Sequence, residues 1–222
     1  MVAVVTFDDA CPPGQVADAL AARGLAWEVV AADGALPDAA PDAVVVLGGP
    51  QGAYEEADHP YLASVKAWLV RLVDADVPVL GICLGAQLLA DALGGHAHRA
   101  PIREVGVLPV EVVDPDDPLA DHLAGSWVFV HQDTFSLPEG ASLIARSSYP
   151  AAFRIGSAVG LQLHPEADPA IVAGWLARSN GPARWSETDP ERLMDDVRAA
   201  EDLTQRGRAL VGAWLDEAIP AP

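Results

Sequence analysis

The chain has 222 residues, 51% of them hydrophobic, so it is long enough to bury a substantial core in one domain or in two. It carries 13 lysines and arginines against 32 aspartates and glutamates, a net charge of -19, which excludes the clustered cations of a nucleic-acid groove and opposes attraction to an anionic membrane. No apolar run approaches the roughly 20 residues of a membrane span, the N-terminus lacks the positive segment of a signal peptide, and two cysteines cannot form a disulfide scaffold, so we expect a cytoplasmic protein.

Strand-like and helix-like patterns alternate in the first part of the chain. Short β-branched runs are typical of buried strands, and Tyr61–Val73 carries apolar residues at a helical period. This alternation predicts a mostly parallel central sheet with helices on both faces, an α/β fold. The predicted order is strand Val2–Phe7, helix Gln15–Arg23, strands Leu25–Val30 and Ala43–Leu47, helix Tyr61–Val73, strand Val77–Ile82 and helix Leu84–Leu93.

The second half of the chain begins with runs that predict a few antiparallel strands and ends with helical patterns. We predict one domain over residues 1–180 and a C-terminal helical extension over residues 181–222 that packs on the same domain. The predicted strands are Gly106–Val113, Ser126–His131, Ser142–Arg146, Ala151–Ile155 and Ala158–His164, and they are followed by a helix at Ile171–Arg178, a loop at Asn180–Glu187 and one long helix at Pro190–Ala218.

Cys83 is the most informative residue of the sequence. It stands directly between an apolar strand and a helix, with Gly81 and Gly85 two residues away on either side. A tight strand-to-helix turn needs such small neighbours, and it lifts a nucleophile out of the edge of the sheet. The N-terminus of the following helix favours negative charge and therefore a thiolate. This pattern predicts a nucleophile elbow at Cys83.

A histidine and a carboxylate follow another apolar strand. His164 and Glu166 are two residues apart and so point the same way in an extended chain, and Pro165 favours that extended backbone. Glu166 can then bind one imidazole nitrogen while the other faces a nucleophile. This is the pairing of base and orienting group that a cysteine or serine triad requires.

A glycine pair follows a third strand, in the segment Gly48-Gly49-Pro50. Glycines at a strand end let backbone N–H groups approach a ligand closely. In a parallel sheet, this strand end lies at the same edge as Cys83 and His164. We expect the loop to supply one donor to an oxyanion and the N–H of Leu84 to supply the other.

Together the three motifs resemble the class I glutamine amidotransferase family, across roughly residues 40 to 167. The chain resembles a free-standing glutaminase domain of the kind found in GMP synthase. The resemblance implies a flavodoxin-like arrangement of the sheet, and no cofactor or metal. The motifs are Gly48-Gly49-Pro50, Gly81-Ile82-Cys83-Leu84-Gly85-Ala86-Gln87 and Gly160-Leu161-Gln162-Leu163-His164-Pro165-Glu166.

The resemblance also implies a catalytic role for each matched position. Cys83 would attack the side-chain amide of glutamine. His164 would act as base and then as acid towards the departing ammonia, and Glu166 would orient His164. The backbone N–H groups of Gly49 and Leu84 would bind the oxyanion.

Three further positions are implied to contact the substrate. Gln87 would help to hold glutamine. His131 and Asp133 match a His-x-Asp segment that the family places beside the substrate pocket. The sequence departs from the family pattern after Pro50, where many relatives have a serine and this chain has Gln51 and Gly52. It also contains nothing that resembles an ATP-binding loop.

Three functions remain open at this point. A free-standing amidotransferase domain would hydrolyse glutamine and pass ammonia to a separately encoded synthetase or ligase. A γ-glutamyl peptidase or hydrolase would use the same triad on a γ-glutamyl conjugate. A degenerate, non-catalytic domain would bind or regulate a partner. Each of the three is compatible with a homo-oligomer.

Overall fold

The computed structural model describes residues 1–178 and 189–220, and these form one nine-stranded sheet flanked by helices. The order across the sheet is β2-β1-β3-β4-β9-β8-β7-β5-β6. The strands are β1 (Val2–Thr6), β2 (Trp27–Ala31), β3 (Ala43–Val46), β4 (Val79–Ile82), β5 (His96–Val112), β6 (Gly125–Ser136), β7 (Ser142–Arg146), β8 (Pro150–Ile155) and β9 (Ala158–Leu161).

Five of the strands, β2, β1, β3, β4 and β9, run parallel to one another. Their order is the flavodoxin-like 2-1-3-4-5 arrangement, with β9 in the fifth place. The remaining strands pair antiparallel. The predicted α/β fold, with a mostly parallel sheet and some antiparallel strands, is confirmed.

Helices cover both faces of the sheet, and each face has its own hydrophobic core. Consecutive residues of β1 point to opposite sides, so Val4 belongs to one core and Val5 to the other. The helices are α1 (Gln15–Ala22), α2 (Tyr61–Asp74), α3 (Leu84–Ala92), α4 (Ala120–Leu123), α5 (Pro169–Arg178), α6 (Pro190–Ala199) and α7 (Leu203–Ala218). The first core contains residues of α1, α6 and α7, and the second contains residues of α2 and α3.

The topology brings the three sequence motifs together. Strand β4 lies between β3 and β9 and is parallel to both. The segments that follow these three strands therefore leave the sheet at the same edge. They carry Gly48 and Gly49 after β3, Cys83 after β4, and His164 after β9.

The antiparallel ribbon of β5 and β6 is longer than the sequence predicts. Strand β5 begins at His96 rather than at Gly106, and β6 continues beyond His131. The pairing shifts between Arg99 and Glu104. This irregularity interrupts the alternation of side chains along β5, and it hid the first half of the strand from a pattern-based prediction.

The prediction of one long C-terminal helix is wrong. Helices α6 and α7 are separated at residues 200–202, because α6 packs against α5 and β5 whereas α7 packs against α1 and α4. The sequence carried a signal for this break, since Asp202 with Gln205 three residues later is a helix-start pattern. The predicted loop at Asn180–Glu187 and the boundary at residue 180 lie outside the described residues.

No helix within residues 1–178 and 189–220 is long and apolar enough to cross a membrane. Helix α7 buries Leu210, Val211, Trp214 and Leu215. These four residues belong to the same hydrophobic core as Val4 of β1.

Candidate active site

Cys83 occupies a strained turn at the end of β4. Its φ of 52° is positive, a feature that among the described non-glycine residues it shares with Asp76 alone, and its ψ of -106° lies outside the left-handed helical range. It directly precedes α3 and its side chain is buried. A methyl group on Gly85 would lie 2.1 Å from the carbonyl oxygen of Val46, and one on Gly81 would lie 2.6 Å from the carbonyl of Gly85. The turn therefore requires glycine on both sides of the cysteine.

His164 and Glu166 form a buried pair directly after β9. The Nδ1–H of His164 donates to Oε1 of Glu166 at 2.7 Å, and the two residues are 5% and 2% exposed. The backbone N–H of His164 is bound by the carbonyl of Val128 at 3.0 Å, and the carbonyl of Glu166 accepts from the N–H of Gln15 at 3.1 Å. Strand β6 and the start of α1 thus fix both ends of the segment.

The charge state of His164 follows from its neighbours. Burial alone lowers the pKa of His164, but Glu166, through its charge and its hydrogen bond, and the neighbouring Cys83 raise it from 6.5 to about 10. The imidazole is therefore stabilised as a cation between a carboxylate and the cysteine sulfur.

Cys83 and His164 meet beside Gly48. A methyl group on Gly48 would lie 3.3 Å from Cε1 of His164 and 3.5 Å from Cβ of Cys83. The two side chains are close enough to influence each other's charge, although Nε2 of His164 makes no fully aligned hydrogen bond to a described residue. Catalytic hydrogen bonds are often loosely aligned before substrate binds, so the closeness of Cys83 and His164 is compatible with proton transfer between them.

Gly49 and Leu84 lie against each other next to Cys83. A methyl group on Gly49 would come within 2.8 Å of Cδ2 of Leu84 and 2.7 Å of Cβ of Phe7, so this position has no space for a side chain. Leu84 is the first residue of α3, and its backbone N–H therefore has no acceptor within the helix. Gly49 is therefore adjacent to Leu84, whose backbone N–H stands at the start of α3 directly after Cys83.

Gln87 lies one helical turn after Cys83. Its side-chain Nε2 donates to the carbonyl of Asp133 at 3.0 Å and to Oε1 of Gln162 at 3.1 Å. Both amide hydrogens are thereby used within the protein. What Gln87 can offer a ligand is its amide oxygen, an acceptor.

His131 and Asp133 lie on β6 beside the other predicted residues. Both ring nitrogens of His131 have protein partners, since Nδ1 lies 2.8 Å from the carbonyl of Asp133 and Nε2 lies 3.0 Å from Oε2 of Glu104. The Asp133 carboxylate accepts a hydrogen bond from the hydroxyl of Tyr54 at 3.2 Å. Burial raises the pKa of Asp133, against the lowering effects of the Tyr54 hydrogen bond and the charge of Arg99.

A cavity of about 490 Å³ opens over Cys83. Its size is typical of a small-molecule site. Seven of the eight residues predicted from the sequence line it, and Glu166 lies behind His164. The seven are Gly49, Cys83, Leu84, Gln87, His131, Asp133 and His164.

The profile of the family described as "Glutamine amidotransferase class-I" matches residues 14–171, more than half of the chain. The chain belongs to the class-I glutamine amidotransferase family. The resemblance seen in the three motifs is thereby confirmed.

Relatives and solved structures agree with this membership. The chain is 35% identical over 203 residues to a GMP synthase of Aeropyrum pernix, a match that covers 83% of this chain and 38% of that protein. A GMP synthase of Thermomicrobium roseum is 38% identical over 137 residues, which cover 60% of this chain and 24% of that protein. The chain thus spans between a quarter and two fifths of the length of these GMP synthases.

The fold matches solved amidotransferases over nearly their whole length. A glutamine amidotransferase from Thermotoga maritima superposes with a TM-score of 0.88 at 25% identity, covering 99% of this chain and 98% of that one. One from Methylobacillus flagellatus gives 0.86 at 26% identity, covering 100% of this chain and 96% of that one.

This amidotransferase fold also places residues at the site that sequence reasoning did not select. The Trp175 ring lies 4.7 Å from the His164 ring, and Arg99 and Arg103 line the cavity from β5. No local pattern in the sequence marked Trp175, because its contact with His164 arises only in the folded chain. The two arginines were hidden by the irregular pairing of β5, as was the buried Glu104 that follows Arg103.

Proposed function

We propose that the protein hydrolyses the side-chain amide of glutamine through a γ-glutamyl thioester on Cys83. The observation that carries this proposal is the strained Cys83 turn next to the buried His164–Glu166 pair, inside one cavity with Gly49 and Leu84. A domain that only bound or regulated a partner would have no need for a strained nucleophile beside a charged base. The geometry therefore supports an enzyme over the non-catalytic alternative.

The chemistry follows from the positions of these groups. In the resting site the thiol proton of Cys83 has passed to Nε2 of His164, which is stabilised as a cation, and the sulfur attacks the carboxamide carbon to form a tetrahedral intermediate. The N–H groups of Gly49 and Leu84 stabilise its oxyanion. His164 then gives its proton to the amide nitrogen, the C–N bond breaks and ammonia leaves, with the thioester left on the enzyme.

Water completes the cycle. His164 takes a proton from water, the hydroxide attacks the thioester carbonyl, and the thiolate of Cys83 leaves as glutamate forms. Glu166 keeps His164 in one tautomer and stabilises its charge throughout both steps. The net reaction converts glutamine and water into glutamate and ammonia.

The substrate would be bound by the far side of the cavity. Gln87 presents an amide oxygen, which suits the N–H groups of an ammonium or of a carboxamide. The Asp133 carboxylate, half-buried and bound by Tyr54, is a second acceptor on the same side. We propose that these two residues, with His131 behind them, select the amino end of glutamine.

The ammonia would pass to a partner. The GMP synthase relatives are longer than this chain, and the matched part is a fraction of their length. We propose that a separately encoded synthetase or ligase uses the ammonia. A reducing compartment such as the cytoplasm fits this chemistry, because Cys83 must remain a thiol to act as the nucleophile.

The decisive experiment is covalent labelling. A glutamine-like electrophile such as 6-diazo-5-oxonorleucine should add one equivalent to Cys83, as judged by peptide mass spectrometry, and the label should disappear in Cys83→Ser. Cys11 also lines the cavity, so Cys11→Ser is the matched control and should retain full labelling. Labelling of Cys11 but not of Cys83 would refute the proposal, whether or not the protein turns over glutamine without a partner.

A second function, cleavage of γ-glutamyl conjugates, is favoured by the shape and charge of the same cavity. Arg99 and Arg103 line it in a protein with a net charge of -19, and its volume exceeds what a single amino acid needs. The two arginines would donate hydrogen bonds to a carboxylate on a larger leaving amine.

A comparison of substrates separates the two functions. If the conjugate is the true substrate, γ-glutamylglutamate should release glutamate faster than glutamine does, and Arg99→Gln should narrow that preference. An enzyme that acts on glutamine and leaves γ-glutamylglutamate intact would exclude the second function.

A further inference from the structure

A buried ion pair lies next to the cavity, and the reaction steps above do not use it. Glu104 and His131 are directly opposed on β5 and β6, with Oε2 of Glu104 3.0 Å from Nε2 of His131. Their side chains are 6% and 1% exposed. Glu104 also accepts hydrogen bonds from the hydroxyl of Ser147 at 2.8 Å and the backbone N–H of Ser148 at 3.0 Å.

Glu104 is a carboxylate at any pH at which the protein works. Burial alone raises the pKa of Glu104, but the hydrogen bonds from His131, Ser148 and Ser147 outweigh it and lower the pKa to about 2. On the other side of the ring, Nδ1 of His131 faces the carbonyl of Asp133 at 2.8 Å. The carboxylate and the carbonyl are both acceptors, so each of them is suited to receive an N–H of the His131 ring.

The Asp133 carbonyl connects this ion pair to the cavity. It accepts from Nδ1 of His131 and also from Nε2 of Gln87 at 3.0 Å. A reversed Gln87 amide would place its oxygen against the Asp133 carbonyl, which cannot donate. The position of that carbonyl therefore decides that the oxygen, and not the nitrogen, of Gln87 is left for a ligand.

We propose that Glu104 is a positioning residue for substrate binding: through His131 it fixes the Asp133 carbonyl, which orients Gln87 towards the substrate. This role rests on the proposed function, since Gln87 matters for binding only if the cavity takes a γ-glutamyl substrate. Glu104 itself does not line the cavity. Its effect is on binding and not on the chemical step, because Cys83 and His164 are held by other contacts.

Glu104→Gln keeps the size of the side chain and removes its charge, so Nε2 of His131 no longer faces a carboxylate. We expect the half-saturating concentration of 6-diazo-5-oxonorleucine in Cys83 inactivation to rise about fivefold to tenfold, the cost of weakening one polar contact. The limiting inactivation rate should stay within about twofold of wild type, as expected for a loss of uniform binding. Alkylation of Cys83 by iodoacetamide, which needs no γ-glutamyl site, should be unchanged.

Glu111→Gln is the matched control. Glu111 is on the same strand and binds Arg146 at 2.9 Å, but this pair is exposed and lies outside the cavity. Glu111→Gln should leave both the half-saturating concentration of 6-diazo-5-oxonorleucine and the limiting inactivation rate unchanged. Equal half-saturation in wild type and Glu104→Gln would overturn the positioning role alone, whereas failure of the electrophile to label Cys83 in wild type would overturn the proposed function.

A spectroscopic measurement on the wild-type protein keeps the proposal testable if Glu104→Gln does not fold. With ¹⁵N-labelled histidine, both ring nitrogens of His131 should give the chemical shifts of protonated nitrogens, assigned by loss of the signals in His131→Asn. A bare nitrogen on His131 in the wild-type protein would overturn the proposal, because the ring could then not donate to both Glu104 and the Asp133 carbonyl. In a folded Glu104→Gln protein, we expect one of the two nitrogens to lose its hydrogen.

Discussion

Replacing His164 by glutamine should lower kcat/KM for glutamine hydrolysis by about 10⁴-fold, the upper range for loss of a general acid–base group. The new side chain at position 164 can occupy the space of the imidazole and donate a hydrogen bond to Glu166. It cannot take the thiol proton or protonate the departing ammonia. The measurement is glutamate release at pH 7.5, with the rate of Cys83 labelling as the readout if turnover without a partner is slow. His122→Gln, an exposed histidine on α4, is the control and should behave as wild type.

A loss of less than about tenfold in His164→Gln would contradict the assignment of His164 as the base, since positioning contacts alone give effects of that size. The variant must first be shown to fold, by circular dichroism and by a cooperative urea transition. If His164→Gln does not fold, Glu166→Gln is compared with wild type instead. That variant keeps His164 but removes the carboxylate that stabilises its charge.

Wild type and His164→Gln also test the charge of His164, through the pH dependence of their stability. Its pKa is about 10 in the folded protein, against 6.5 without its neighbours. Because the folded value is the higher one, the stabilisation is complete below about pH 6.5 and is lost as the pH rises through about 10. The free energy of unfolding of wild type relative to His164→Gln should therefore be largest at low pH and shrink between pH 6.5 and 10. A constant difference across that range would mean that the imidazole is neutral in the folded protein.

The sequence was sufficient to predict the part of the site that depends on local pattern and parallel topology. Cys83 is recognisable because a nucleophile elbow needs small residues at fixed positions, and His164 and Glu166 because spacing by two gives a shared direction. Their convergence follows from the rule that parallel strands end at one edge. None of these inferences requires knowledge of how side chains pack.

Residues that reach the site through irregular structure were not predictable in this way. Glu104 follows a shift in the pairing of β5, so its direction cannot be obtained by counting alternate positions. Trp175 reaches His164 only through the packing of α5. His131 was expected to contact substrate, and that contact stays a prediction; its bond to Glu104 depends on the same irregular strand.

Helix α7 contacts the segment that carries His164 and Glu166, and Gly207 is the residue that tests this contact. A methyl group on Gly207 would lie 2.0 Å from the carbonyl oxygen of Pro165, the residue between His164 and Glu166. Because that contact is with backbone, either α7 or the segment must move. We expect Gly207→Ala to destabilise the protein by about 1–3 kcal/mol, the usual cost of overpacking. A shift of about 1 Å in the segment should lower activity about 10²-fold.

Gly212 on the same helix provides the matched control for this prediction. A methyl group there would meet the guanidinium of Arg23 at 2.5 Å, the flexible end of a partly exposed side chain that can move aside. Gly212→Ala should therefore keep full activity and gain up to about 1 kcal/mol from helix propensity. Urea unfolding measures the stability of each variant. The rate of Cys83 labelling, measured below the unfolding transition so that each variant is folded, reports the positioning of His164 and Glu166. Unchanged labelling in a destabilised Gly207→Ala would mean that α7 supports the fold without fixing His164 and Glu166.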